Sequence, residues 1–251
     1  MKKRAMAAVS AVMCASMVLS ACGSSASTST TAAPAETKAA EETKAEETTA
    51  AAASGDVVTI NIGFENTTEE PIGQAVEKWA ELLKEESNGT MELKVFANSA
   101  LGNKSKLIDQ MVMGENVITI ADGAFYADYG VPDLGILYGP FFFDNWDEVW
   151  KLIDSDWYKE QCSKLADKGL TVLGSNWVYG ERELMTKDKA VVPADIKGKK
   201  IRLANSQIYV EGFNALGATA VPMARGDGYT ALQNGTLDGV ENPLSTLYGQ
   251  S

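Results

Sequence analysis

Residues 198–206, GKKIRLANS, lead through FNALGA at 213–218 into YTALQNGTLDGVENP at 229–243, and the reading of this stretch decides the fold. A glycine-bearing turn precedes the short apolar run 201–203, which predicts a strand that carries Arg202. Tyr209, Phe213 and Leu216 then recur at helical spacing up to Gly217, a residue that suits a helix end. A short strand is expected at 219–221, a helix over 227–233 stopped by Gly235, and a last strand over 237–240. Just upstream, GERELMT at 180–186 predicts a strand over 183–186 directly after Arg182, and VPADIKGKK reads as a turn with a short helix. Strands alternating with helices imply an α/β fold with a parallel or mixed sheet.

The arginines carry the chemistry. A guanidinium offers five donors in a rigid fork and keeps its charge, which suits it to carboxylate or phosphate. Arg182 and Arg202 each follow a glycine-bearing turn beside an apolar run, a pattern that points to anion capture; a structural ion pair is the competing role for each. Asn242, directly before Pro243, is placed to cap a turn.

Working back toward the N-terminus, Val58, Ile60, Ile62 and Phe64 alternate as in a half-buried strand. Pro71 is placed for the first turn of a helix, Ile72, Val76, Trp79, Ala80 and Leu83 follow at helical spacing, and SNG at 87–89 stops it. Met91, Leu93 and Val95 predict a second strand, Leu107, Ile108, Met111 and Val112 a second helix, and VITIA from Val117 a third strand. GVPDLGILYGPFFFDNW is apolar without clear period, and its aromatics either line a cleft or pack as core. Trp146, Val149, Trp150 and Ile153 predict a helix, and Leu170, Val172 and Leu173 another strand. That strand leads to SNWVYG, which contains Trp177 and where the chain is expected to cross into a second lobe. In open α/β sheets, ligands bind outside the carboxyl ends of strands, and Arg182, Arg202 and Asn242 all fall near strand ends.

From Gly180 to Pro243 the chain resembles the solute-binding proteins of tripartite ATP-independent periplasmic (TRAP) transporters, the DctP-like family. Gly180 with Arg182, Pro193 with Asp195, KGKKIR, FNALGA, VPM and YTALQNGTLDGVENP follow in that family's order and spacing, and a weaker resemblance reaches back to about Val57. The resemblance implies a two-lobed, type II-like periplasmic-binding-protein fold with mixed sheets and an interlobe cleft. It divides the chain into a first lobe at 56–178 and an incomplete second lobe at 179–251, in which a strand near 237–241 returns to the first. It implies that Arg202 makes the main salt bridge to the carboxylate of a small organic acid. Arg182 and Asn242 add contacts, and Trp177 and Arg225 complete the candidate ligand set. It also implies delivery to small and large TRAP membrane subunits, with a receptor of an ABC-type importer as the alternative. Two departures stand out. Arg225 in MARGDGYTALQ occupies a position where many relatives have an aromatic; it either adds a third cation that favours a dianion or pairs with Asp227 at the surface. Relatives also continue well beyond ENP, so the chain is expected to be a C-terminally truncated fragment.

The N-terminus reads as an export signal. Lys2, Lys3 and Arg4 precede an apolar run over 5–19, which is too short to span a membrane. LSACG at 19–23 resembles a bacterial lipobox, so residues 1–21 are expected to be a lipoprotein signal and Cys22 the lipidated residue that tethers the protein outside the cytoplasmic membrane. Residues 22–55, rich in Ala, Thr, Ser, Glu and Lys, are expected to form a disordered tether. Lys2, Lys3, Arg4, Lys38 and Lys44 balance Glu36, Glu41, Glu42, Glu46 and Glu47, so the net charge of -12 belongs to the rest of the chain. A surface that acidic argues against nucleic acid. With no histidine, the Ser-His-Asp and Cys-His arrangements and histidine-bound zinc are excluded. No cofactor or metal site is expected, an enzyme would need a carboxylate acid-base pair that the sequence does not point to, and Cys162 reads as a buried helical thiol.

Overall fold

A computed structural model describes residues 56–249; the signal, the lipobox with Cys22 and the tether lie outside the described residues. β1 (Val58–Gly63) runs parallel to β2 (Met91–Phe96) and to β3 (Val117–Thr119) in a sheet of order β2-β1-β3. Each crossover carries a helix, α1 (Pro71–Glu86) and then α2 (Lys104–Val112), as parallel pairing demands. Pro71 opens α1, and Asn88 and Gly89 close it at φ 52 and 77, with the Gly89 amide donating to the Lys84 carbonyl at 2.8 Å. Asn103 caps α2 by accepting from the Lys106 amide at 3.0 Å. Ile62, Phe64, Val76 and Leu93 form the core between sheet and helix.

Three helices follow the first sheet: α3 (Gly123–Asp128), α4 (Trp146–Ile153) and α5 (Asp156–Ala166), capped by Asp122, Asn145 and Ser155. Pro132–Tyr138 forms a 3-10 turn packed tightly on α3; a Cβ on Gly123 would lie 2.3 Å from the Leu134 carbonyl oxygen. Ile108, Phe125, Val131, Leu134, Tyr158, Leu165 and Leu170 make a second core. Cys162 sits on α5 as expected but is only half-buried, and burial pushes its thiol pKa up. The strand expected at 170–173 does not form: Leu170 is buried, but Leu173 is 69% exposed, and the segment pairs with no strand. An apolar run becomes a strand only where a neighbour accepts its ladder.

β4 (Arg182–Thr186), β5 (Lys200–Leu203), β6 (Thr219–Pro222) and β7 (Gly239–Pro243) form a mixed sheet of order β4-β7-β5-β6. β5 is parallel to β6 and β7, while β4 is antiparallel to β7. α6 (Gln207–Ala215) and α7 (Arg225–Gln233) make the crossovers, and Gly217 (φ 90) and Gly235 (φ 74) end them. The strand expected to return to the first lobe is instead interior to this sheet. It starts at Gly239, where a Cβ would meet the Met185 carbonyl oxygen at 2.6 Å. The chain turns toward the first sheet one element later, in α8 (Leu244–Tyr248): the Thr246 carbonyl faces Arg225, and Gly249 abuts Glu70.

α3 is the seam between the two halves. Ala124 packs with Ile201, Leu203 and Tyr209; the Ser206 hydroxyl donates to the Ala124 carbonyl at 2.9 Å; and Asp128 accepts from the Gln207 amide at 3.2 Å.

Candidate functional site

The carboxyl ends of the parallel strands in the two sheets meet, with Arg225 after β6 reaching Glu65 and Glu70 after β1. Glu65, Asn66 and Glu70 follow β1 and Asp122 follows β3, while Arg202 lies near the end of β5 and Glu241 and Asn242 near the end of β7. Because β4 is antiparallel to β7, its first residue, Arg182, reaches the same end of the sheet. This is the geometry in which open α/β sheets bind ligands.

Arg202 is a mid-strand arginine between Ile201 and Leu203, both fully buried, and is itself 5% exposed. Its Nε and Nη2 donate to the Met223 carbonyl at 3.1 and 2.7 Å. Gly228, in the first turns of α7, lets that helix lie on the arginine stem; a Cβ there would come within 3.3 Å of Arg202 Cδ. Among the described residues no carboxylate lies within ion-pairing distance. Burial lowers the Arg202 pKa; Glu65 and Glu241 act against that from farther away, while Arg182 adds to it. A buried guanidinium held by one neutral carbonyl is expensive unless an anion joins it.

Strand register puts Asn242 on the same face as Arg202, since Arg202 pairs with Val240 and side chains two residues apart share a face. Asn242 is buried at 5% exposure, and its amide makes no hydrogen bond to another described residue. An unmatched cation and an unmatched amide on one face can together hold a carboxylate.

Arg182, half-buried, lies on the opposite face with the buried Glu241, and the two form a fork: Nε and Nη2 donate to the two Glu241 oxygens, the second at 2.8 Å. Its guanidinium stacks over the Tyr209 ring at 4.7 Å. Burial would lower the Arg182 pKa, but Tyr209 and Glu241 drive it upward. The ion pair that competed with ligand contact for this residue is therefore formed, and Nη1 is the edge left over.

Arg225 is not at the surface, so a surface pair with Asp227 is ruled out. It is 6% exposed, meets Glu70 at 2.6 Å, and donates to the Glu65 carbonyl at 2.7 Å. Glu70 also accepts from Asn66 at 2.7 Å and from the Thr67 amide at 3.0 Å, and so ties the entry of α1 to the start of α7. α7 begins at Arg225, ahead of the expected 227, because this anchor fixes its first residue.

Trp177 is 37% exposed and packs edge-on against Trp79 at 5.7 Å. It borders a hollow of about 300 Å³ with Glu70, Tyr179 and Thr246, whose lining includes none of the three arginines. A wider hollow of about 610 Å³ opens at the seam between Phe125 of α3, Tyr129 just past its end, and Asn205 to Gln207 at the start of α6.

Sequence reasoning missed four contributors. Glu241 stood in the quoted ENP motif but its partner is 59 residues away. Glu70 stands directly before Pro71, and its partner Arg225 is 155 residues away. Lys104 pairs with Asp122 at 3.5 Å and lies over the Phe125 and Tyr179 rings at 4.7 and 5.8 Å. Tyr209 read as one residue of a helix face; burial pushes its pKa and that of neighbouring Tyr138 well above the usual value, so both phenols stay protonated.

This arrangement, two α/β halves with the carboxyl ends of their sheets apposed around a buried arginine, defines the class of two-lobed extracytoplasmic binding proteins. The chain belongs to the bacterial extracellular solute-binding protein family 7, DctP, whose family model matches residues 62–251. A solute-binding protein of Chromohalobacter salexigens is 32% identical over 181 residues, covering 68% of this chain and 51% of that protein. The C4-dicarboxylate-binding periplasmic protein DctP of Rhodobacter capsulatus is 30% identical over 180 residues, covering 72% and 54%. Among solved structures, a TRAP periplasmic solute-binding protein from Ochrobacterium anthropi with bound L-fuconate is 41% identical at a TM-score of 0.75, covering 78% of this chain and 64% of that one. A second, from Actinobacillus succinogenes with bound L-galactonate, is 36% identical at 0.74, covering 77% and 64%. The chain thus spans about half the length of the curated relatives it matches. The family is one of transport receptors rather than enzymes, and these relatives do not favour an ABC-type importer.

Proposed function

We propose that this chain is the solute-capturing part of an extracytoplasmic TRAP receptor that binds a small organic acid and delivers it to small and large membrane subunits. The observation that carries the reading is Arg202, a buried cation with no carboxylate in ion-pairing range among the described residues. The ligand carboxylate supplies the missing charge at Arg202, with the Asn242 amide beside it. Arg182, held in place by Glu241, contributes through its remaining Nη1 edge. Water leaving the cleft strengthens these charge-assisted bonds, and the ligand selects the closed arrangement by binding it more tightly. Relatives of this chain bind L-fuconate and L-galactonate, which supports a sugar acid or similar carboxylate. The lobes divide near residue 178, and Cys22, in its lipobox-like setting, anchors the receptor to the outer face of the membrane.

A thermal-shift screen of mono-, di- and hydroxycarboxylic acids tests the reading. A ligand at one hundred times its dissociation constant stabilises by about 2.7 kcal/mol, which is readily seen. Stabilisation by at least one acid, lost in Arg202→Met, is the expected result; no shift with any acid refutes the reading.

A further inference from the structure

The ligand residues named so far all belong to the second half or to the crossing that leads into it. In the first half Lys104 stands out, because its place works against the helix that carries it. It is the first residue of α2, where the open amides already bear partial positive charge, and that first turn holds no acid. A lysine there weakens the helix, and such local conflicts gather where a residue serves another purpose.

Its surroundings point to the cleft. Lys104 follows β2 and Asp122 follows β3, so both stand at the carboxyl ends of strands, and Asp122 acts electrostatically on Arg182 across the gap. The Lys104 side chain is 18% exposed and its ammonium lies over the Phe125 and Tyr179 rings. Tyr179 is in turn close enough to Arg202 to act on its charge, so the two cations flank one tyrosine.

The ammonium also has donors to spare. Asp122, its ion-pair partner, lies at 3.5 Å, beyond the roughly 2.7 to 2.9 Å of a charge-assisted hydrogen bond. Asp122 gives its other oxygen to the Ala124 amide at 3.1 Å. Among the described residues the Lys104 ammonium donates no hydrogen bond, although it carries three N–H groups.

Resting on the receptor reading above, we infer that Lys104 is the ligand contact of the first half: its ammonium donates to an oxygen of the acid whose carboxylate Arg202 holds. One small molecule then bridges the halves. Lys104 sets a requirement that Arg202 does not, an acceptor oxygen on the side of the acid that faces α2.

Calorimetric titration and stopped-flow kinetics of the intact chain with L-galactonate, L-fuconate and succinate as probes test this. Lys104→Met keeps an apolar stem against the Phe125 and Tyr179 rings and weakens the tightest of the three by about tenfold or more, the loss of one charge-assisted bond. The loss appears in the dissociation rate, with association unchanged within about threefold, because the contact forms after capture. The unliganded thermal midpoint stays within about 3 °C, since a partly exposed pair at this separation contributes little. Asp122→Asn keeps an oxygen for the Ala124 amide, removes the competing charge and does not weaken binding. A smaller loss in Lys104→Met, a loss carried by association, a larger fall in the unliganded midpoint, or weaker binding in Asp122→Asn overturns this inference and leaves the receptor reading standing. Failure of all three probes to bind overturns it too, and failure of every carboxylate in the thermal-shift screen overturns both.

Discussion

Replacing Arg202 with methionine separates a ligand-binding arginine from a structural one. In the unliganded chain its Nε and Nη2 are held by the Met223 carbonyl, which leaves Nη1 and one Nη2 proton for an incoming carboxylate. Two charge-assisted bonds at about 1.5 to 3 kcal/mol each sum to about 3 to 6 kcal/mol, or about 10² to 10⁴ in Kd. The unliganded fold responds quite differently. Methionine loses two bonds to one carbonyl but removes a desolvated cation with no partner carboxylate, so stability changes by less than about 2 kcal/mol in either direction. Calorimetry with the best acid from the screen gives the first quantity and urea denaturation the second. Arg202→Lys, which keeps the charge but not the fork, falls between wild type and Arg202→Met in affinity. A Kd within about fivefold of wild type in Arg202→Met, or a loss of unliganded stability above about 4 kcal/mol, refutes the reasoning.

Glu241→Gln behaves in the opposite sense, because it strands the half-buried Arg182 cation: urea denaturation reads a loss of about 1 to 3 kcal/mol without any ligand present. Gly239→Ala places a methyl 2.6 Å from the Met185 carbonyl oxygen and 2.8 Å from Thr186 Cγ2, forces β4 away from β7, and lowers the thermal midpoint. Alkaline pH destabilises the fold through its buried tyrosines. Burial raises the Tyr158 pKa from 10.0 to about 12, so its contribution is fully present below pH 10 and fades as pH rises from about 10 toward 12; urea midpoints taken from pH 8 to 11.5 show this decline, and it is smaller in Tyr158→Phe.

What the sequence made legible follows the range of the interactions involved. β1, α1, β2, α2 and β3 carry local signals: alternating apolar residues, Pro71 at a helix start, SNG at its end and apolar residues at helical spacing. Each of these acts over a few residues, so each is written into the chain where it operates. Arg182 and Arg202 were legible as guanidinium forks beside glycine-bearing turns and Asn242 through the family resemblance, and the sheet's antiparallel edge brings Arg182 to the same end as the other two. α3 and α8 went unread, since six and five residues are too few to display a helical period. The apolar run at 170–173 was misread because alternation reports half-burial and not the presence of a neighbour. The position of β7 was likewise beyond reach: a period of two residues says that a segment is a strand, not which sheet holds it. Least legible were the ion pairs. Glu70 and Arg225 are 155 residues apart, and only the apposition of the halves reveals that this pair cancels a charge that the sequence left free to serve a ligand.

The most direct test is a crystal structure of the chain with its acid bound. The account predicts a carboxylate oxygen about 2.7 to 2.9 Å from the Arg202 guanidinium and within reach of Asn242. A ligand seated elsewhere, with Arg202 still bonded only to the Met223 carbonyl, would contradict it.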